Sequence, residues 1–300
     1  MASPISVVKG SSSANCHNPL GECNNNTDKC QSTFQLVESF GRSRLSNPHG
    51  VTLSYNGDIV VADRGNHSVQ FFTWSCYYMT CVHMVDGGPT DICAMRYQRF
   101  CVTDANNGVV RIITQDGRLV RKIGEGILIR PIGIATLSDN IFVVDSDNHC
   151  VLNFSKLGRV IKKIGSYGNG DAQFCHPSFI AVNGKGELIV SDSGNSRVIV
   201  VSQNGECIFS IDGKSGEDVQ FRNPRGVAVD FHDNIYVASD HRVLMFSPRG
   251  RFLCLVVDDA SLEAPTGLEV TKRNPCEIVV SDSSNNCIRV YTGYCQKDQY

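Results

Sequence analysis

The sequence has no apolar run long enough to cross a bilayer. Its apolar runs are short, such as Ile141–Val144, and none approaches the roughly 18 residues a transmembrane helix needs. The opening MASPISVVKGSSSANC lacks the apolar core of a signal peptide. An excess of charge of either sign is also missing. A net charge of −2 over 300 residues gives no global pull toward DNA, RNA or an anionic membrane, so affinity for a polyanion must come from a local patch. There is no Gly-x-Ser-x-Gly elbow, no phosphate loop, no His-Glu-x-x-His helix, no paired Cys-x-x-Cys array and no coiled-coil heptad. These absences point to a soluble, cytoplasmic, non-catalytic chain with neither cofactor nor metal.

What is present begins with 14 cysteines. Cys101, Cys150, Cys207, Cys254 and Cys287 lie in or beside apolar strand-like runs, where a free thiol acts as a small hydrophobe. That usage suits a reducing compartment. Cys16, Cys23 and Cys30, with His17, lie in a polar segment rich in Asn and Ser. Their spacing is too loose for the close pairs of a zinc site, and residues 1–31 read as a disordered tail.

An internal repeat dominates the rest. Apolar runs end on Asp63, Asp104, Asp145, Asp192 and Asp282, each followed three residues later by asparagine (Asn66, Asn107, Asn148, Asn195, Asn285). Six residues after each aspartate comes Val69, Val110, Val151, Val198 or Ile288. An eroded copy, VASDHRV at 237–243, has Ser239 in the aspartate position, and successive spacings are 41, 41, 47, 47 and 43 residues. Upstream of the aspartates lie NPHGVTL (47–53), RPIGIAT (130–136), HPSFIAV (176–182), NPRGVAV (223–229) and APTGLEV (264–270). The second copy lacks the Pro-x-Gly and offers only ICAM (92–95). With turn signals such as YNGD and NGKGE between the runs, each unit reads as four short antiparallel strands, one propeller blade. The recurring aspartate reads as a turn former that accepts the N–H two residues on, with a left-handed asparagine following.

These repeats resemble NHL repeats, whose Asn-His-Leu triplet Asn66-His67 and Asn148-His149 preserve in part. The resemblance covers about residues 34–294 and implies an all-β, six-bladed propeller over 32–294, with a short tail at 295–300. The chain ends agree with it. The last blade stops after its third strand, CIRVYTG (287–293), while TFQLVESFG (33–41) reads as a stray fourth strand. The N-terminal strand should therefore pair into the last blade and close the ring.

Within that family the chain is similar to the C-terminal propellers of TRIM–NHL and Brat-like proteins. The similarity implies that the face carrying the Pro-x-Gly segments and the Asp-x-x-Asn turns binds RNA in post-transcriptional control. The alternative is that it recruits a protein, such as a substrate of a TRIM-type ubiquitin ligase whose RING domain lies outside this chain. Candidate contacts are Arg42, Arg44, His49, Arg64 and His67 around blade one. Around blades four and five they are Arg197, Lys214, Arg222, Arg225, His241 and Arg242. Tyr167 is placed to stack a base, Phe174 to pack in the core, and Trp74, Tyr77, Tyr78 and Met79 to pack along an outer strand. The innermost strands begin Val51, Ile134, Phe179, Val227 and Leu268, so only His49 approaches the central channel and no oxygen cage for a hard cation is expected.

Overall fold

Alternating apolar residues over four- to seven-residue runs, broken by Gly, Asn and Asp, give short antiparallel strands. A computed structural model describes residues 34–212, 221–273 and 275–293. Lys214, both tails and the cysteines of the N-terminal segment lie outside the described residues. The strands form six four-stranded sheets, arranged as a six-bladed propeller. Blade one is Pro48–Leu53, Ile59–Asp63, Ser68–Phe72 and Tyr78–His83, from axis to rim. Blades two to five repeat that order over 89–123, 131–164, 180–211 and 227–258. Among the described residues there is no α-helix, hence none long and apolar enough to cross a membrane.

The sixth blade closes the ring. Its strands Pro265–Val270, Cys276–Asp282 and Cys287–Gly293 are completed by the N-terminal strand Gln35–Phe40, which pairs antiparallel with Cys287–Gly293. Closure removes the open seam that a linear array of sheets would leave between its first and last blades. Apolar clusters fill the wedges between blades. One, from blades two and three, includes Ile112, Ile141, Leu152 and a fully buried Phe154. Truncating such an aromatic typically costs about 3–5 kcal/mol.

Register shows that blade two is regular. Pro89 pairs with Asp104 as Pro48 does with Asp63, Pro131 with Asp145 and Pro265 with Asp282. The missing Pro-x-Gly is therefore Pro89-Thr90-Asp91, with aspartate in the glycine position. Residues 74–88 likewise supply an ordinary turn and the rim strand Tyr78–His83 to blade one. Beside that strand Trp74 packs inward and Tyr78 sets its ring edge-on to Phe72 with centroids 6.0 Å apart, whereas Tyr77 and Met79 are exposed rather than packed.

A cationic cup on the loop face

The repeated aspartates are fully buried, and their bonds show why the repeat needs them. Asp63 accepts the Ser46 amide at 2.8 Å, in the loop entering its own blade, and the Asn66 side chain at 2.7 Å. Asn66 also donates to the Arg44 carbonyl, binding turn and loop together. The bracket recurs with Asp104 and the Gly88 amide, Asp145 and the Ile129 and Arg130 amides, Asp192 and Cys175, and Asp282 and Glu263. In blade five Ser239 accepts the Arg222 amide instead. The acceptor role is thus long-range rather than a bond two residues on. The left-handed residue is the one after the asparagine: His67, Gly108, His149, Ser196 and Asn286 all have φ between 49° and 61°.

Three brackets carry an arginine. Arg111 donates to Asp104 at 2.7 Å, Arg197 to Asp192 at 2.8 Å and Arg289 to Asp282 at 2.7 Å. Arg197 also donates to the carbonyls of Asn169, Gly170 and Gln173. All three nitrogens of that guanidinium are engaged within the protein.

At the axis the pattern reverses. Arg64 follows the bracket of blade one, Arg130 precedes Pro131 of blade three, and Arg225 follows Pro224 of blade five. All three line one cavity of about 530 Å³ at the mouth of the channel, together with His49, His176 and Ser193. Among the described residues, no acceptor in the protein receives a hydrogen bond from the Arg64 or Arg225 guanidinium. Arg130 faces Asp147 at 3.4 Å, and His176 faces the same carboxylate at 3.7 Å. Burial lowers both the Arg64 and Arg225 pKa values, and for Arg64 the neighbouring charges of Arg130 and Arg225 add to it. His49 is 8% exposed and its Nδ1 has no hydrogen-bond partner. Burial, reinforced by Arg64 and Arg225, pushes its imidazole down to about 3, so the ring is neutral at physiological pH.

The other middle positions of the Pro-x-Gly ring are spent on the scaffold. Thr90 donates to the Pro131 carbonyl at 2.9 Å and Thr266 to the His49 carbonyl at 3.0 Å. Ser193, bonded to Ser178, reaches the Pro224 carbonyl at 2.6 Å. These hydroxyls tie blade two to blade three, blade four to blade five and blade six to blade one.

Beneath the cup neighbouring inner strands pack closely against one another. A methyl group on Gly133 would lie 2.5 Å from the Ser178 carbonyl oxygen, and one on Gly267 would overlap that of His49. Asp91 and Phe179 occupy this glycine position in blades two and four. Phe179 lines both the cup and a second space of about 300 Å³ below it. That lower channel is not wholly apolar, as the innermost residues suggested. Asp91, Glu269, Thr52 and Lys272 line it beside Val51, Ile134, Val227 and Leu268. Asp91 accepts the Ile92 and Ile134 amides, each at 2.9 Å, and Glu269 accepts Thr52 at 3.2 Å. Burial pushes Asp91 up to about 8 and Glu269 up to about 7. No group of three or more His, Cys, Asp or Glu among the described residues is arranged to hold a metal ion.

Of the ten described candidates, the cup therefore gathers His49, Arg64 and Arg225, and adds Arg130 and His176. Arg42 and Arg222 are exposed outside it. Arg44 lies over the Tyr78 ring at 3.6 Å, toward the rim. His67 and His241 spend Nδ1 on the carbonyls of Gly87 and Leu262 in the next loop, and Arg242 faces Asp240 at 3.6 Å. Tyr167 is 69% exposed and stands against His149 (centroids 4.9 Å apart), which in turn contacts His176 at 4.5 Å. Phe174 is fully buried, as the repeat pattern required. Arg130 and His176 carried one sequence signal: both stand immediately before the proline of their blade.

With this geometry in place, comparison with known proteins gives three results. The NHL repeat model matches residues 45–72 and 174–201, so the chain carries NHL repeats and its fold is an NHL-type propeller. No curated protein matches the chain. Solved structures of the same fold include a streptogramin B lyase, with 13% identity over 88% of each chain and a TM-score of 0.63. A catalytically inactive virginiamycin B lyase from Staphylococcus aureus with quinupristin shares 12% identity over 87% of this chain and 99% of that one, with a TM-score of 0.62. A Bacteroides thetaiotaomicron protein of unknown function shares 16% identity over 86% of this chain and 75% of that one, with a TM-score of 0.66. At these identities the likeness is one of fold.

Proposed function

We propose that the chain is a non-catalytic binding module that recognises RNA on its loop face, in post-transcriptional regulation in the cytoplasm. The observation that supports this most is the convergence of Arg64, Arg130 and Arg225 on one concave site. The Arg64 and Arg225 guanidinium groups, without protein acceptors, suit phosphate oxygens, and Tyr167, joined to the cup through His149 and His176, offers a ring on which a base can stack. In the lower channel both Asp91 oxygens accept backbone amides and Glu269 accepts the Thr52 hydroxyl, as carboxyls with a structural role do. Nine described cysteines are free thiols, as a reducing compartment favours; Cys276 is disulfide-bonded, which such compartments disfavour.

Selection from a randomised RNA pool across a salt series, beside an Arg64→Ala/Arg225→Ala double variant, tests the reading. Enrichment of a motif that weakens with salt and is lost in the variant is expected. Absence of enrichment at low salt defeats it.

A second reading has its own observation. Val85, Ile127 and Ile129 stand 78%, 45% and 58% exposed in the loops around the same face, an apolar rim suited to a protein partner. Such a partner would be recruited as a substrate if the propeller serves a RING-containing ubiquitin ligase. Capture of a defined protein by the wild-type propeller, abolished by Ile129→Asp, would favour it over RNA.

A further inference from the structure

We propose that the cup is a binding site for a terminal phosphate monoester entering end-on along the propeller axis. On the RNA reading, upon which this inference rests, it holds the phosphorylated end of a single strand. The argument starts from unspent hydrogen-bonding capacity. Arg64 and Arg225 are half-buried without a protein acceptor, and Nδ1 of the buried His49 has no partner. Polar groups withdrawn from water and left unpaired are costly, and a tetrahedral oxyanion between the two guanidinium groups satisfies both.

Placement narrows the class of anion. The three arginines come from blades one, three and five, every second blade of six, and so surround the axis. A phosphate monoester presents three terminal oxygens arranged about its ester bond, one toward each guanidinium. An internal phosphodiester has only two free oxygens, and its chain leaves in two directions. Phe179 stands at the boundary between the cup and the lower channel, which at about 300 Å³ is small and lined largely by apolar side chains, so a polyanionic chain does not continue past the cup. A group seated at this depth is therefore an end. The carboxylates nearby are already engaged: Asp147 by Arg130 and His176, and Asp91 by two amides. Tyr167, in contact with His149 and through it with His176, stands where the first base beyond the phosphate would leave the cup.

The test compares short randomised single-stranded RNAs carrying a 5′-phosphate, a 3′-phosphate or only hydroxyl ends, measured by fluorescence anisotropy. Inorganic phosphate serves as competitor, and Arg64→Gln, Arg225→Gln and Arg222→Gln as variants. A phosphorylated end should tighten binding at least about tenfold, as one added set of charge-assisted hydrogen bonds provides. That gain should vanish in Arg64→Gln and Arg225→Gln, persist in Arg222→Gln, and be competed by inorganic phosphate. Equal affinity for phosphorylated and hydroxyl ends overturns the inference and leaves the RNA reading standing. If no RNA binds, yet inorganic phosphate raises the melting temperature of the wild type and not of Arg225→Gln, the RNA reading falls while the phosphate site holds. Binding of a phosphoserine peptide would then identify the polymer. Failure of every phosphate-bearing probe, with no thermal shift, overturns both.

Discussion

The ring of aspartate brackets and the axis of the propeller use similar residues to opposite ends. In the brackets every charge has its partner: Asp282, fully buried, accepts from Glu263, Asn285 and Arg289, and Arg289 also reaches Asp259 and Ser261. At the axis His49, Arg64 and Arg225 are drawn together without partners, and the buried Asp91 and half-buried Glu269 line a narrow channel. A scaffold whose bracket charges are all held in hydrogen-bonded networks can tolerate a centre where charged groups have no partner in the protein. The difference separates residues that fold the protein from residues free to act.

The largest test of that separation is Asp282→Ala. It takes from Arg289, which is 2% exposed, one of its two carboxylate partners, leaving Asp259 alone against the buried charge, and deprives the Glu263 amide and Asn285 of their acceptor. Breaking such a pair costs about 3–5 kcal/mol, to be read from urea denaturation. Next comes the pH dependence set by the axis. The Asp91 carboxyl is raised from 3.8 to about 8 and that of Glu269 from 4.5 to about 7, both chiefly by burial. Raised carboxyls hold more protons in the folded than in the unfolded chain. The stability they contribute is complete below their ordinary values and is lost as pH climbs through the raised ones. Unfolding free energy should fall by up to about 1.4 kcal/mol per pH unit for each group within that window. Asp91→Asn should flatten the slope, and an unchanged slope would show that Asp91 does not titrate there.

A smaller effect distinguishes arginines that a linear reading puts in the same class. Arg197→Ala should cost about 1–3 kcal/mol of stability by leaving Asp192 buried without its cation, with RNA affinity retained. Loss of affinity without loss of stability would return Arg197 to the binding face. Smallest of all, Arg225→Ala should change stability by no more than about 0.5 kcal/mol, since it breaks no hydrogen bond within the protein. A clear destabilisation would mean that the cup is scaffold too.

The sequence carried the architecture further than the site. Asp-x-x-Asn at near-constant spacing located the blades, and the unpaired TFQLVESFG located the closing strand. The glycine-to-aspartate change at Asp91 hid the first strand of blade two, and with it the acidic wall of the channel. The cup was half visible. His49, Arg64 and Arg225 were marked as cations in loops, yet linear order placed them in two separate patches, because only ring closure brings blades one, three and five to a common axis. The contacts of Arg197 were hidden for a related reason: its acceptors Asn169, Gly170 and Gln173 belong to a loop whose path no local pattern specifies. The long-range role of the aspartates, reaching an amide 15 to 19 residues earlier, was also invisible to a turn-by-turn reading.

Ring closure also has a consequence in time. Ser39 and Cys287 touch across the closing seam but lie 248 residues apart in the chain. At a synthesis rate of about 5–20 residues per second, the strand Gln35–Phe40 leaves the ribosome roughly 12–50 seconds before its partner exists. Throughout that interval Leu36 and Val37 belong to a strand whose backbone edge is open to any neighbouring nascent chain. A growing propeller of this kind is therefore most vulnerable at its oldest strand, and a chaperone that shields it need act only until the final blade has been made.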